Sequence, residues 1–154
     1  MRIRLKCLRM VLNEKGIVRQ FSLVVYNQDF VAVIGDMEEA VNKLYKPKDE
    51  KYNWLGAPEL HNPMVTYEVI EKKTGIICYM IWCPRPEDFR GSYVTHEACH
   101  VALTLFKYIG ATPNVDDQEP FCYLAGNISR LLTGAFYDYQ EYMEKRKKLK
   151  AKKK

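Results

Sequence analysis

The hydrophobic pattern is mostly strand-like before Pro84 and helical after it, and strands first with the long helices second points to an α+β fold and not to an alternating one. Residues 2–12 and 17–27 are rich in Val, Ile, Leu, Phe and Tyr, and the turn-forming Asn13-Glu14-Lys15-Gly16 between them predicts a hairpin. Arg2, Arg4 and Lys6 alternate with Ile3, Leu5 and Cys7, the period of a strand with one wet face. Phe30 to Ile34 reads as a third short strand ended by Gly35-Asp36. Residues 37–45 place apolar side chains at 37, 40, 41 and 44 on one helical face, with Asp36 in position to cap. Residues 46–63, with Pro47, Gly56, Pro58 and Pro63, read as a long loop. A second hairpin is expected from 64–71 and 75–83 around Lys72-Lys73-Thr74-Gly75, stopped by Pro84 and Pro86.

Beyond Pro86 the pattern is helical. A helix starting between Glu87 and Tyr93 runs to Ile109, with Gly110 as its C′ residue and Pro113 forbidding continuation. Asp116 or Asp117 can cap the next helix, which tolerates Pro120 in its first turn and is expected to end between Leu132 and Gly134. Residues 136–154 have helical composition and become almost pure lysine. The expected class is α+β: N-terminal antiparallel hairpins, then two helices.

A chain of 154 residues, 47% hydrophobic and 28% charged, fits one globular domain, expected over 1–142, followed by a Lys-rich tail at 143–154. The net charge of +5 belongs to that tail. Without the eight cations of Lys145 to Lys154, 16 basic residues face 19 acidic ones, leaving −3. The body is therefore not a basic nucleic-acid-binding domain, and any nucleic-acid contact is expected to be weak and made through the tail. No apolar run is long enough for a transmembrane span, and the alternating N-terminus lacks a signal-peptide core. A cytoplasmic protein with no membrane partner is expected. The five cysteines (Cys7, Cys78, Cys83, Cys99, Cys122) include no CxxC pair and read as reduced, buried small hydrophobes. Trp54 and Trp82 are expected to pack the core, and His61 reads as a loop residue.

The chemistry-bearing segment is Thr95-His96-Glu97-Ala98-Cys99-His100, which contains two of only three histidines in the chain. On a helix, positions i and i+4 share a face, so both imidazoles can reach one metal ion at about 2.0–2.1 Å. Glu97 lies slightly round the helix, where its carboxylate can serve a water without taking a ligand position. The stripe of Val94, Ala98, Val101, Ala102, Leu105 and Ile109 makes this a packed helix. The plain alternative is two surface histidines flanking an exposed glutamate.

A tetrahedral zinc site with an open position needs a third protein ligand. Glu119 is the best placed, nineteen residues after His100 at the start of the next helix, with Asp116 and Asp117 competing. Positions 119, 123, 126 and 130 share a helical face, and Gly126 would let the two helices approach closely. Tyr123, read as a half-buried aromatic, Arg130 and His61 are candidate contacts to substrate or to charge developing in the transition state.

His96-Glu97-Ala98-Cys99-His100 followed by Asp117-Gln118-Glu119-Pro120-Phe121-Cys122-Tyr123-Leu124-Ala125-Gly126 resembles the small gluzincin-like metalloproteins of phages and other mobile elements, over roughly residues 93–130. The resemblance implies a minimal zincin core binding Zn²⁺, with His96, His100 and Glu119 as ligands and Glu97 as general base. It implies a zinc metallopeptidase acting on a peptide or protein, in the host cytoplasm or phage particle if phage-encoded. It also implies that the strand beside the active-site helix, here Gly75 to Cys83, pairs with an extended substrate. The alternative is a non-catalytic zincin-like protein whose metal staples two helices, acting by binding, as a virion component or host-interaction factor.

Overall fold

The computed structural model describes residues 7–23, 26–49 and 62–153, and the expectations for residues 2–6, Trp54 and His61 lie outside them. Six strands and three helices follow in the order β1 (Cys7–Asn13), β2 (Gly16–Leu23), β3 (Gln28–Gly35), α1 (Glu38–Leu44), β4 (Tyr45–Pro47), β5 (Val65–Glu71), β6 (Ile77–Cys83), α2 (Gly91–Tyr108) and α3 (Glu119–Ala151). A single 3-10 turn, Pro86–Asp88, precedes α2. The class is α+β, as expected.

Both hairpins form where the turn residues place them. In the first, the Asn13 carboxamide oxygen accepts from the main-chain N–H of Lys15 at 2.8 Å and of Gly16 at 3.3 Å, closing the turn with a side chain. Gly16 then lies opposite Gly35 across β2 and β3. A Cβ on Gly16 would sit 2.0 Å from the Ile34 carbonyl oxygen, and Gly35, at φ +93°, has equally little room against Lys15.

The sheet order is β1-β2-β3-β6-β5-β4. The two hairpins join through a parallel pairing of β3 with β6, Asp29 to Ile34 alongside Cys78 to Cys83. Every residue of β3 is buried, because side chains leave alternately toward two covered faces. Phe30, Ala32, Ile34, Tyr79 and Ile81 pack against α2 and α3, while Val31, Val33, Met80 and Trp82 pack on the other face against α1. Trp82 joins the core as expected and donates its indole N–H to the Gly35 carbonyl at 3.0 Å.

Four expectations are corrected. The strand 75–83 is not an edge: β6 lies between β3 and β5, as its apolar residues on both faces require. The second long helix does not end near Gly134. Leu131, Leu132 and Ala135 are buried around it, and burying one Leu side chain (about 1.5–3 kcal/mol) exceeds the cost of a helical glycine (about 1 kcal/mol). The helix α3 therefore runs unbroken through the lysine-rich residues to Ala151, braced by Arg146 on Glu14 at 2.6 Å. Neither Asp36 nor Asp116 nor Asp117 caps: the N-cap positions are Met37 and Gln118, without side-chain capping bonds. Cys122 is exposed, whereas Cys78 and Cys83 are buried as expected, their thiols pushed up to about 12 chiefly by desolvation. Among the described residues, no helix is long and apolar enough to cross a membrane.

Candidate metal centre on the first long helix

The helix α2 buries Val94, Ala98, Val101, Ala102, Leu105 and Phe106, which turns His96 and His100 outward on the opposite side. Gly110, at φ +72°, follows its C-cap Ile109, the C′ position expected for it. The two rings stand edge to face, centroids 4.7 Å apart at 76°, and their Nε2 atoms lie 3.1 Å apart, within hydrogen-bond distance of one another. Two imidazole nitrogens bound at about 2.0–2.1 Å to one tetrahedral ion lie about 3.3 Å apart. The pair is thus set for a shared cation with an adjustment of about 0.2 Å, and its donor type suits zinc.

Glu97 faces a different environment. The His96 side chain is 67% exposed, but that of Glu97 only 12%. Thr66 on β5 donates its hydroxyl to Glu97 Oε2 at 2.6 Å, which leaves Oε1 turned toward the rings, 3.9 Å from His96 Nε2. The carboxylate is held by one oxygen and presented by the other. Thr66 was invisible to sequence reasoning: it is one polar residue of an ordinary hairpin strand until β5 is laid beside α2.

Along β5 runs a groove of about 900 Å³ reaching both Glu97 and His100, with Pro47, Met64, Val65 and Tyr67 among its walls. The short β4 pairs only with Val69 to Glu71, extended by the Lys48 N–H donating to the Glu68 carbonyl at 3.1 Å. Strand periodicity then puts the main-chain groups of Thr66 on that same edge.

The remaining predicted site residues fall elsewhere. Phe106 stacks on Phe121 at 6.0 Å and Phe89 on Phe136 at 4.0 Å, which sets the axial register of α3 along α2. Arg130 donates to Asn127 at 2.8 Å on the same helix. Glu119 is the first residue of α3, two residues before Phe121, whose ring stacks on Phe106 near the far end of α2 from His96. Asp116 and Asp117 precede it in the exposed connection. Among the described residues, no three His, Cys, Asp or Glu side chains gather as a metal-holding group. The structure brings together His96, Glu97 and His100, and does not bring Glu119 to them. The face at 119, 123, 126 and 130 looks into solvent: Tyr123 is 74% exposed rather than half-buried, and a Cβ on Gly126 would meet nothing, so no close helix approach depends on it.

No known protein family, curated protein or solved structure matches the chain.

Proposed function

We propose that the protein is a zinc-dependent hydrolase of peptide bonds, with His96 and His100 supplying two of the ligands, Glu97 as general base, and the third protein ligand of such a site not found beside them among the described residues. The observation that carries this reading is the 3.1 Å convergence of the two Nε2 atoms beside a carboxylate with one oxygen tethered. Zinc held there supplies a Lewis acid that polarises a carbonyl and acidifies water. Glu97 Oε1 accepts the proton of the attacking water and delivers it to the departing amine nitrogen. The Thr66 hydroxyl keeps Oε2 engaged, so that the basic oxygen stays aimed at the histidines.

An extended peptide would lie along the groove beside β5, not β6, where Thr66 meets Glu97. The apolar walls favour apolar side chains at alternate positions of such a peptide. The zincin-like arrangement belongs to the same proposal: an active-site helix flanked by the strand β5.

The test is a mixed-peptide cleavage screen of the zinc-loaded protein with and without chelator, alongside Glu97→Gln. The reading expects chelator-sensitive cleavage by the parent, and loss of cleavage with zinc retained in the variant. Cleavage that survives Glu97→Gln refutes the assignment of the base. A zinc-loaded parent that cleaves nothing in the screen favours the non-catalytic alternative.

A further inference from the structure

We propose that the last two turns of α3 form a helical arm that docks into a groove of duplex nucleic acid through the phosphate backbone, without reading sequence. The proposal is independent of the metal site.

The helix α3 reaches the body as far as Arg146, whose guanidinium pairs with Glu14 at 2.6 Å and donates to the Tyr142 hydroxyl at 3.0 Å. Lys145 is likewise engaged, by Glu141 at 2.6 Å. From Lys147 to Lys153 every residue is exposed, and among the described residues none of these five lysines (147, 148, 150, 152, 153) takes part in an ion pair with the protein. The helix carries Lys147, Lys148 and Lys150 and ends at Ala151, with Lys152 as its C-cap still in helical conformation and Lys153 in the turn that follows.

Their arrangement around the helix axis decides the partner. At about 100° per residue, the five lysines point in directions spread round the whole circumference, with no arc wider than about 100° left uncharged. A flat anionic surface meets only one side of a helix, and a membrane-surface helix also needs an apolar face. Here Leu149 and Ala151 are the only apolar residues of the arm. A groove with phosphates on both walls meets cations on both flanks at once. The major groove of a duplex is about 12 Å wide and accepts a helix of about 10–12 Å diameter. The arm holds no Arg, Asn or Gln to pair with base edges, so contact is with phosphates.

The magnitude follows from counterion release. Neutralising about five phosphates gives a slope of about −4.5 in log K against log salt, or an affinity loss of about 500-fold between about 50 and 200 mM salt. The experiment is fluorescence anisotropy of a labelled mixed-sequence DNA duplex titrated with the full chain at those two salt concentrations. It is repeated with all five lysines changed to Gln, and with all five changed to Arg. The expected result is steeply salt-dependent binding by the parent, near-complete loss in the Gln variant at unchanged melting temperature, and retention in the Arg variant. No binding by the parent at the lower salt, or equal binding by the Gln variant, overturns the proposal. Binding to phosphatidylserine vesicles tighter than to the duplex overturns it in favour of a membrane surface.

Discussion

Replacing Thr66 by Val isolates the contact that aims Glu97. Valine keeps the shape of threonine and removes the hydroxyl that donates at 2.6 Å to Oε2 of a carboxylate only 12% exposed. A hydrogen bond to a charged group contributes about 1.5–3 kcal/mol, and water entering from the groove recovers part of that. The expected loss is therefore about 1.5 kcal/mol, or about 3–6 °C in melting temperature for a domain of this size. If the released carboxylate also swings away from the histidines, kcat/KM falls about tenfold with KM little changed, since substrate contacts are untouched. Thr66→Ser restores the hydroxyl and should recover both quantities. Zinc affinity should not move in either variant, because Thr66 touches neither ring. Thermal melts of the metal-free and zinc-loaded forms, with the cleavage assay, read all of this. Thr66→Val melting with the parent, or Thr66→Ser falling as far as Thr66→Val, would refute the reasoning.

Two further outcomes follow from other parts of the molecule. Asp29 is buried on β3, and desolvation raises its pKa, countered by the Gln20 amide donating at 2.8 Å and reinforced by the charge of Glu71. The folded state thus holds the Asp29 proton more tightly than the unfolded chain does, and stability falls as pH rises from the ordinary carboxylate value through the raised one. Asp29→Asn should therefore raise the melting temperature most at pH well above that window, the gain shrinking on acidification; parallel pH profiles for parent and variant would contradict this. Glu119→Ala should leave zinc affinity within about threefold of the parent (~0.65 kcal/mol), since Glu119 does not gather with His96 and His100 as a metal-holding group among the described residues; a loss of about a hundredfold would return Glu119 to the ligand set.

The elements themselves were legible where local chemistry decides them. The Asn13 turn, the Gly110 helix end and the two-faced apolar run of β6 are all written in neighbouring residues. The expectation that 75–83 pairs with an extended substrate set that run aside: Ile77 to Cys83 is apolar on both faces, which already argues for an interior strand. Gly134 misled because helix propensity is weak against packing, and the packing partners come from α2 and the sheet. The His pair was legible because its spacing lies within a single helix. Thr66 and the register of α3 were not, because each depends on how distant segments lie against one another. The Glu119 expectation shows the difference: nineteen residues of spacing locate it on the next helix, but only the Phe106–Phe121 contact sets its level along α2.

The central claim is that His96 and His100 form one cation site. Competition of the purified full chain against a chromophoric zinc chelator, with His96→Ala/His100→Ala measured in parallel, tests it directly. The account predicts one zinc ion per parent chain and loss of that ion in the double variant, with the helix content of both unchanged. Zinc held equally by both proteins, or by neither, would contradict it.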